Sequence, residues 1–115
     1  MLKFTHRFEK GVYLLYPEGN LVVESVHQLY VYLSNSLGHA EIRGFLISLD
    51  QVIYIDSTGI GALLFLYKQY LKQHITLTIC NVDIDNRETF RVTELDKIIP
   101  IYQTEAEALA DFKTA

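Results

Sequence analysis

Hydrophobic and polar positions alternate with a period of two over residues 4–8, where Phe4, His6 and Phe8 share one side and Thr5 and Arg7 the other. That period predicts a half-covered strand. A second strand-like run spans residues 12–16, and Glu9-Lys10-Gly11 between the two predicts a hairpin turn. Pro17-Glu18-Gly19-Asn20 predicts a break in that strand, after which residues 21–23 lead into a helix. From about residue 24 to residue 37 the period changes. Val26, Leu29, Tyr30, Leu33 and Leu37 follow one helical face, with Tyr30 rather than Tyr32 expected inside and Gly38 as the stop.

Phe45-Leu46-Ile47-Ser48-Leu49 is almost unbroken in its hydrophobicity, which predicts a central strand covered on both faces and a parallel neighbour. The stretch that organises the chain follows it: Ile53-Tyr54-Ile55-Asp56-Ser57-Thr58-Gly59-Ile60-Gly61-Ala62-Leu63-Leu64. An apolar run ends in small polar residues and resumes with helical spacing, so Ser57 falls at or near a helix start. Ile60, Leu63, Leu64, Tyr67 and Leu71 form the expected core stripe of that helix, with Phe65, Leu66 and Tyr70 off it. Residues 75–80 alternate as another strand. Asp85 with Glu88 predicts a capping box opening a short helix to about residue 92, and Thr104 with Glu107 opens a last one to about residue 113. Between these two helices, residues 97–102 predict a strand that Pro100 confines to an edge. The order is β-β-α-β-α-β-α-β-α, an α/β domain with a mixed sheet, an N-terminal hairpin and helices packed against the sheet.

Composition narrows this in a few respects. At 115 residues, half of them hydrophobic, the chain suits one domain over residues 1–115 with a packed core. A net charge of -4 with scattered Lys and Arg argues against nucleic acid as a partner. The single cysteine, Cys80, has no partner for an internal disulfide, which fits a reducing compartment. No apolar run reaches the ~20 residues of a membrane span, and residues 1–6 lack the apolar core of a signal peptide. A cytoplasmic protein without membrane insertion is expected.

Little in the sequence carries catalytic chemistry. His6, His27, His39 and His74 lie on different predicted elements without zinc-site spacing. Cys80 has no neighbouring base or histidine in sequence, and neither a phosphate loop nor a hydrolase elbow is present. Asp50, Asp56, Asp83 and Asp85 follow apolar runs and could gather at one sheet edge, around a metal ion or a phosphoaspartate, although acids are ordinary turn formers there. The chain is therefore not expected to be an enzyme. The junction at residues 56–61 has two readings. Asp56 or Ser57 can simply cap a helix, yet two glycines in the first turns each cost ~1 kcal/mol relative to alanine. Those glycines serve either close helix packing or the approach of another protein. Phe65, Leu66 and Tyr70 are likewise either a binding surface or core beneath the last helix.

Asp56-Ser57-Thr58-Gly59-Ile60-Gly61, preceded by Ile47-Ser48-Leu49-Asp50 and Ile53-Tyr54-Ile55, resembles the phosphorylation-site signature of bacterial anti-sigma factor antagonists of the STAS domain family. Gly19-Asn20-Leu21, Tyr67-Lys68-Gln69 and Leu95-Asp96-Lys97-Ile98-Ile99, followed by Thr104 and Ala108, extend the likeness over nearly the whole chain. Val22 stands where an acidic residue often follows the Gly-x-Leu turn, and Glu94-Leu95 where Gly-Leu is common. The resemblance implies a STAS domain in a partner-switching circuit, with Ser57 phosphorylated and Asp56, Ser57, Thr58, Gly59, Ile60, Gly61, Asn20 and Leu21 in the docking surface. Implied partners are an anti-sigma factor that is also a serine kinase with a histidine-kinase-like ATPase fold, and a serine phosphatase that resets the switch. ATP and magnesium would belong to the kinase, no cofactor to this chain, and the chain itself would be a monomer or weak dimer. The alternative within the family is an unphosphorylated subunit of a transporter or stress-sensing assembly, docked permanently.

Overall fold

A computed structural model describes residues 2–37 and 41–114, so the predicted stop at Gly38 and the position of His39 lie outside the described residues. The expected hairpin is present. Strand β1 (Lys3–Glu9) runs antiparallel to β2 (Val12–Leu21), and Lys10 and Gly11 between them both hold positive φ angles, 51° and 85°. Two such residues are what the twist of a two-residue hairpin turn demands.

Strand β2 does not break at Pro17. It continues for ten residues to Leu21 and changes partner on the way. Its first half pairs in parallel with β3 (Gly44–Ser48), its second half in parallel with β4 (Gln51–Ile55). Pro17 lies between the pairs Leu15↔Ile47 and Glu18↔Gln51, where β2 has no partner on that side, so a residue without an N–H is tolerated inside a strand. Strand β4 is one more than the sequence order allowed for. The apolar run before Asp56 is a separate strand, too short for periodicity to divide it from residues 45–49.

The sheet order is β1-β2-β3-β5-β6, where β5 is Thr76–Cys80 and β6 is Ile101–Tyr102. Central β3 is buried throughout and parallel to both neighbours, as its composition requires. The predicted last strand is shorter than expected. Leu95–Lys97 forms a 3-10 turn instead, and only Ile101–Tyr102 pairs, at the edge that Pro100 demands.

Alternate residues of the strands feed two cores. Tyr13, Leu15, Phe45, Ile47, Leu77 and Ile79 face the helices α1 (Val26–Leu37), α2 (Ser57–Leu71) and α3 (Ile84–Val92). Val12, Leu14, Leu46 and Cys80 face the last helix, α4 (Glu105–Thr114), through Ala108, Leu109 and Phe112. On α1, Val26, Leu29 and Leu33 are buried, while Tyr30 and Tyr32 are both half-buried. Tyr32 is held there by stacking on Phe4 and by a 2.6 Å hydrogen bond to His6 Nδ1. On α2 the buried stripe is Ile60, Ala62, Leu63 and Leu66, and Leu71 is exposed. Leu66 takes the place expected of Leu71, and in the last turn it is Tyr70 that packs on the sheet, against Phe45. The cap of α3 is Asp83, whose Oδ1 accepts from Asn86 N, in place of the expected Asp85. Thr104 caps α4 as predicted, its Oγ1 accepting from Glu107 N, but the Glu107 carboxylate accepts from the Thr104 hydroxyl, not from the Thr104 backbone N–H of a full box.

Candidate functional site

The carboxyl ends of β2 and β4 lie side by side, with Leu21 opposite Ile55, and α2 starts directly above them. Asp56 is the residue that fixes this junction. Its backbone N–H donates to Leu21 O at 3.3 Å, its Oδ1 accepts from Gly59 N at 2.9 Å, and its Oδ2 accepts from Val23 N at 3.1 Å. One carboxylate therefore caps the helix and ties it to the turn leaving β2. That turn is stitched in its own right by the buried Ser25, whose hydroxyl donates to Asn20 O and accepts from Val22 N.

Gly59 explains half of the glycine pair. A Cβ there would lie 2.2 Å from Leu21 O and 2.8 Å from an Ile55 methyl, so the first turn of α2 sits on the end of β2 at a distance only glycine permits. Gly61 is different. A Cβ on it would meet nothing within 4 Å, and it faces solvent.

Ser57 is the first residue of α2, and both it and Thr58 are exposed. Their amides carry no partner among the described residues, so the helix start offers N–H donors and the positive end of its dipole beside the Ser57 hydroxyl. Asn20 is exposed nearby on β2. Leu21, at 1% exposure, and Ile60, at 9%, are buried together with Gly59. Of the eight residues expected in the docking surface, these three therefore lie beneath it, while Asn20, Ser57, Thr58 and Gly61 are exposed and Asp56 is half-buried.

Sequence reasoning missed the apolar residues around the junction. Strand β4 carries a bulge: Gly19 pairs with Val52 but Asn20 pairs with Tyr54, leaving Ile53 without an opposite residue. Ile53 is 73% exposed, Tyr54 58% and Val23 60%. The adjacent apolar run disguised them, since a period-two strand would have buried one of Ile53 and Tyr54. Phe65 is exposed against the ring edge of Tyr30, and Tyr70 packs on Phe45. Neither lies under α4, which covers the opposite face of the sheet, so the second-core-layer reading is overturned. Cys80 is buried between β5 and α4, and burial pushes its thiol up to about 11. Among the described residues no three His, Cys, Asp or Glu side chains cluster as metal ligands, and no helix is long and apolar enough to cross a membrane.

The profile of the STAS domain family matches residues 3–108. The chain belongs to the STAS domain family. A curated relative, an anti-sigma F factor antagonist of Paenibacillus polymyxa, is 22% identical over 97% of this chain and 96% of its own length. Among solved structures, the Bacillus anti-sigma factor antagonist SpoIIAA superposes in its unphosphorylated form with a TM-score of 0.71, at 14% identity over 98% of this chain and 99% of that one. Its phosphorylated form superposes with a TM-score of 0.69, at 17% identity over 96% and 99%. The murine anion transporter Slc26a9 gives a TM-score of 0.84 at 13% identity, covering 95% of this STAS domain and 19% of the transporter. The same scaffold thus occurs both as a small protein and as one part of a transporter.

Proposed function

We propose that this STAS domain is an anti-sigma factor antagonist whose partner is chosen by phosphorylation of Ser57. Unmodified, it binds an anti-sigma factor that is also a serine kinase with a histidine-kinase-like ATPase fold, and so releases a sigma factor. The kinase, supplying ATP and magnesium, esterifies Ser57 and expels the antagonist, and a serine phosphatase reverses this. The domain acts in the cytoplasm as a binding protein, without catalysis of its own. The observation that carries this reading is the solvent-exposed Ser57 hydroxyl, presented at the start of α2 on a platform that Asp56 and Gly59 make rigid.

The physics of the switch follows from that placement. A phosphate adds nearly two negative charges near neutral pH. At a helix N-terminus it is tolerated, favoured by roughly 0.3 to 1 kcal/mol. No cation of this chain stands by to neutralise it further along α2, since Lys68 is about 16 Å away at 1.5 Å per residue. Docking is where the cost falls. A unit charge ~4 Å from a like charge at a partly wet interface costs on the order of 4 kcal/mol, before desolvation of the phosphate. That is about a thousandfold in affinity, and it outweighs the local stabilisation.

Two measurements test the reading. Incubation with the cognate kinase and radiolabelled ATP should label the wild type and leave Ser57→Ala unlabelled. Undiminished labelling of Ser57→Ala removes Ser57 from the mechanism. Ser57→Asp should weaken binding to the kinase strongly while the circular dichroism spectrum stays unchanged, and an unfolded variant would make Ser57 a structural cap. The likeness to a transporter domain keeps a second reading in view, a permanently docked and unphosphorylated module. Absence of label on the wild type, with binding intact in Ser57→Asp, would favour it.

A further inference from the structure

The junction at Ser57 is flanked by strand β4, whose last residues before Asp56 carry large exposed apolar side chains. Strand β4 pairs with β2 alone, and α3 meets it at Val52, whose carbonyl accepts from Asn86 Nδ2 at 3.4 Å, while Ile53 and Tyr54 beyond it stay exposed. The bulge turns both Ile53 and Tyr54 outward on that edge, and Val23 stands on the other side of Asp56, tied to it by the Val23 N–H. Unprotected edges are ordinarily blunted by lysine, proline or inward charges. This one carries two large apolar side chains and no charge after Gln51.

Charge decides what covers it. The connections at the carboxyl ends of the parallel strands hold Glu24, Asp56 and Asp83, followed by Asp85 in the first turn of α3. Asp50 and Glu18 lie at the start of β4. Among the described residues, the Lys and Arg side chains at this end are Lys3, opposite Glu18, and Arg87, whose Nε donates to Val82 O. Between Lys10 and Lys68 the only Lys or Arg is Arg43, which is committed at the far end of the sheet, its Nε donating to Lys10 O and its backbone N–H to Gly11 O. A second copy of this chain would bring the same acids against these.

We propose that Ile53 and Tyr54, with Val23, are the hydrophobic anchors for the protein that reads Ser57, and that this partner presents an apolar centre ringed by lysine and arginine. The proposal rests on the switch reading and deepens it. An apolar centre with a charged rim is the usual division of labour in a protein interface: anchors slow dissociation, and rim charges speed association. It also places Ser57 among the anchors, where a phosphate must shed its water, rather than on the rim, where a basic partner would welcome it.

The test uses the kinase-type anti-sigma factor and surface-immobilised full-length chain, with rates measured by interferometry. Ile53→Ser and Tyr54→Ser should each raise the dissociation rate roughly tenfold or more and leave the association rate near that of the wild type. Glu24→Gln combined with Asp85→Asn should lower the association rate a few-fold at low salt, the difference closing as the Debye length shortens at high salt. Val92→Ser, an exposed apolar change at the far end of α3, should alter neither rate. If Ser57→Asp abolishes binding while Ile53→Ser and Tyr54→Ser bind as the wild type does, the anchor proposal falls and the switch stands. If Ser57→Asp binds normally, or no kinase of this type binds the wild type, the switch falls and the anchor proposal with it. Concentration-dependent dimers in sedimentation that Ile53→Ser dissolves would assign the edge to a second copy and overturn the proposal.

Discussion

Gly59 and Gly61 stand two residues apart in the same helix and answer to different constraints. At Gly59 the helical preference for alanine is opposed by Leu21 O, 2.2 Å from any Cβ, and a backbone carbonyl in a paired strand has nowhere to go. Gly59→Ala is expected to destabilise by several kcal/mol, in the manner of overpacking with backbone displacement. At Gly61 nothing opposes the preference, so Gly61→Ala should stabilise by about 1 kcal/mol. Urea unfolding of the two variants checks both signs. Asp56→Ala removes a helix cap and a bond to the β2–α1 turn together, and a loss of about 2 kcal/mol, at the upper end for a cap, is expected in the same assay. The Asp-Ser-Thr-Gly-x-Gly order could be read from sequence as a helix start, but which glycine was indispensable depended on a carbonyl 38 residues earlier.

Helix α4 is held to the sheet by three apolar side chains, Ala108, Leu109 and Phe112, and by an ionic clasp at its start. There Tyr16 donates to Glu105 Oε1 and Arg7 Nη2 donates to Glu105 Oε2, both at 2.7 Å. The clasp is solvent-exposed on the Arg7 side and contributes little. The apolar set carries the attachment, so Phe112→Ala is expected to cost about 3 kcal/mol or more. Cys80 lies under this helix and reports on it. Its thiol, buried and shifted upward, should resist a disulfide reagent at pH 8 in the native protein, and Phe112→Ala should speed its labelling as α4 detaches more often. Equal rates would mean that α4 does not gate access to Cys80. Strand β4 escaped the sequence reading for a reason of its own. Five residues with two solvent-facing apolar side chains at a bulge have no legible period.

At the scale of the whole molecule, Glu24, Asp56, Asp83 and Asp85 lie toward the carboxyl ends of the parallel strands. That arrangement complements the helix starts, which gather at the same edge. Alkaline stability depends on the buried groups instead. Burial raises Cys80 from 9.0 to about 11, and raises Tyr13 and Tyr16 from 10.0 to about 12. Each native group binds its proton more tightly than the unfolded one. Their contribution is therefore complete below about pH 9 and is lost as pH rises through the folded values toward pH 12. Thermal melts from pH 7 to pH 11 should show a flat region followed by a decline, and a melting temperature that rises above pH 9 would contradict this.

The sequence by itself determined the class of fold, the hairpin, the buried central strand, the buried face of α1 at Val26, Leu29 and Leu33, and the serine at a helix start. These depend on local period, turn residues and cap preferences, all of which act over a few neighbours. Only the tertiary structure decided that β2 changes partner halfway, that Pro17 is harmless there, that Asp56 bridges to Val23, and that Ile53 and Tyr54 face outward. Each of those depends on which distant backbone comes to lie beside the residue, and the periodicity of one segment holds no information about that.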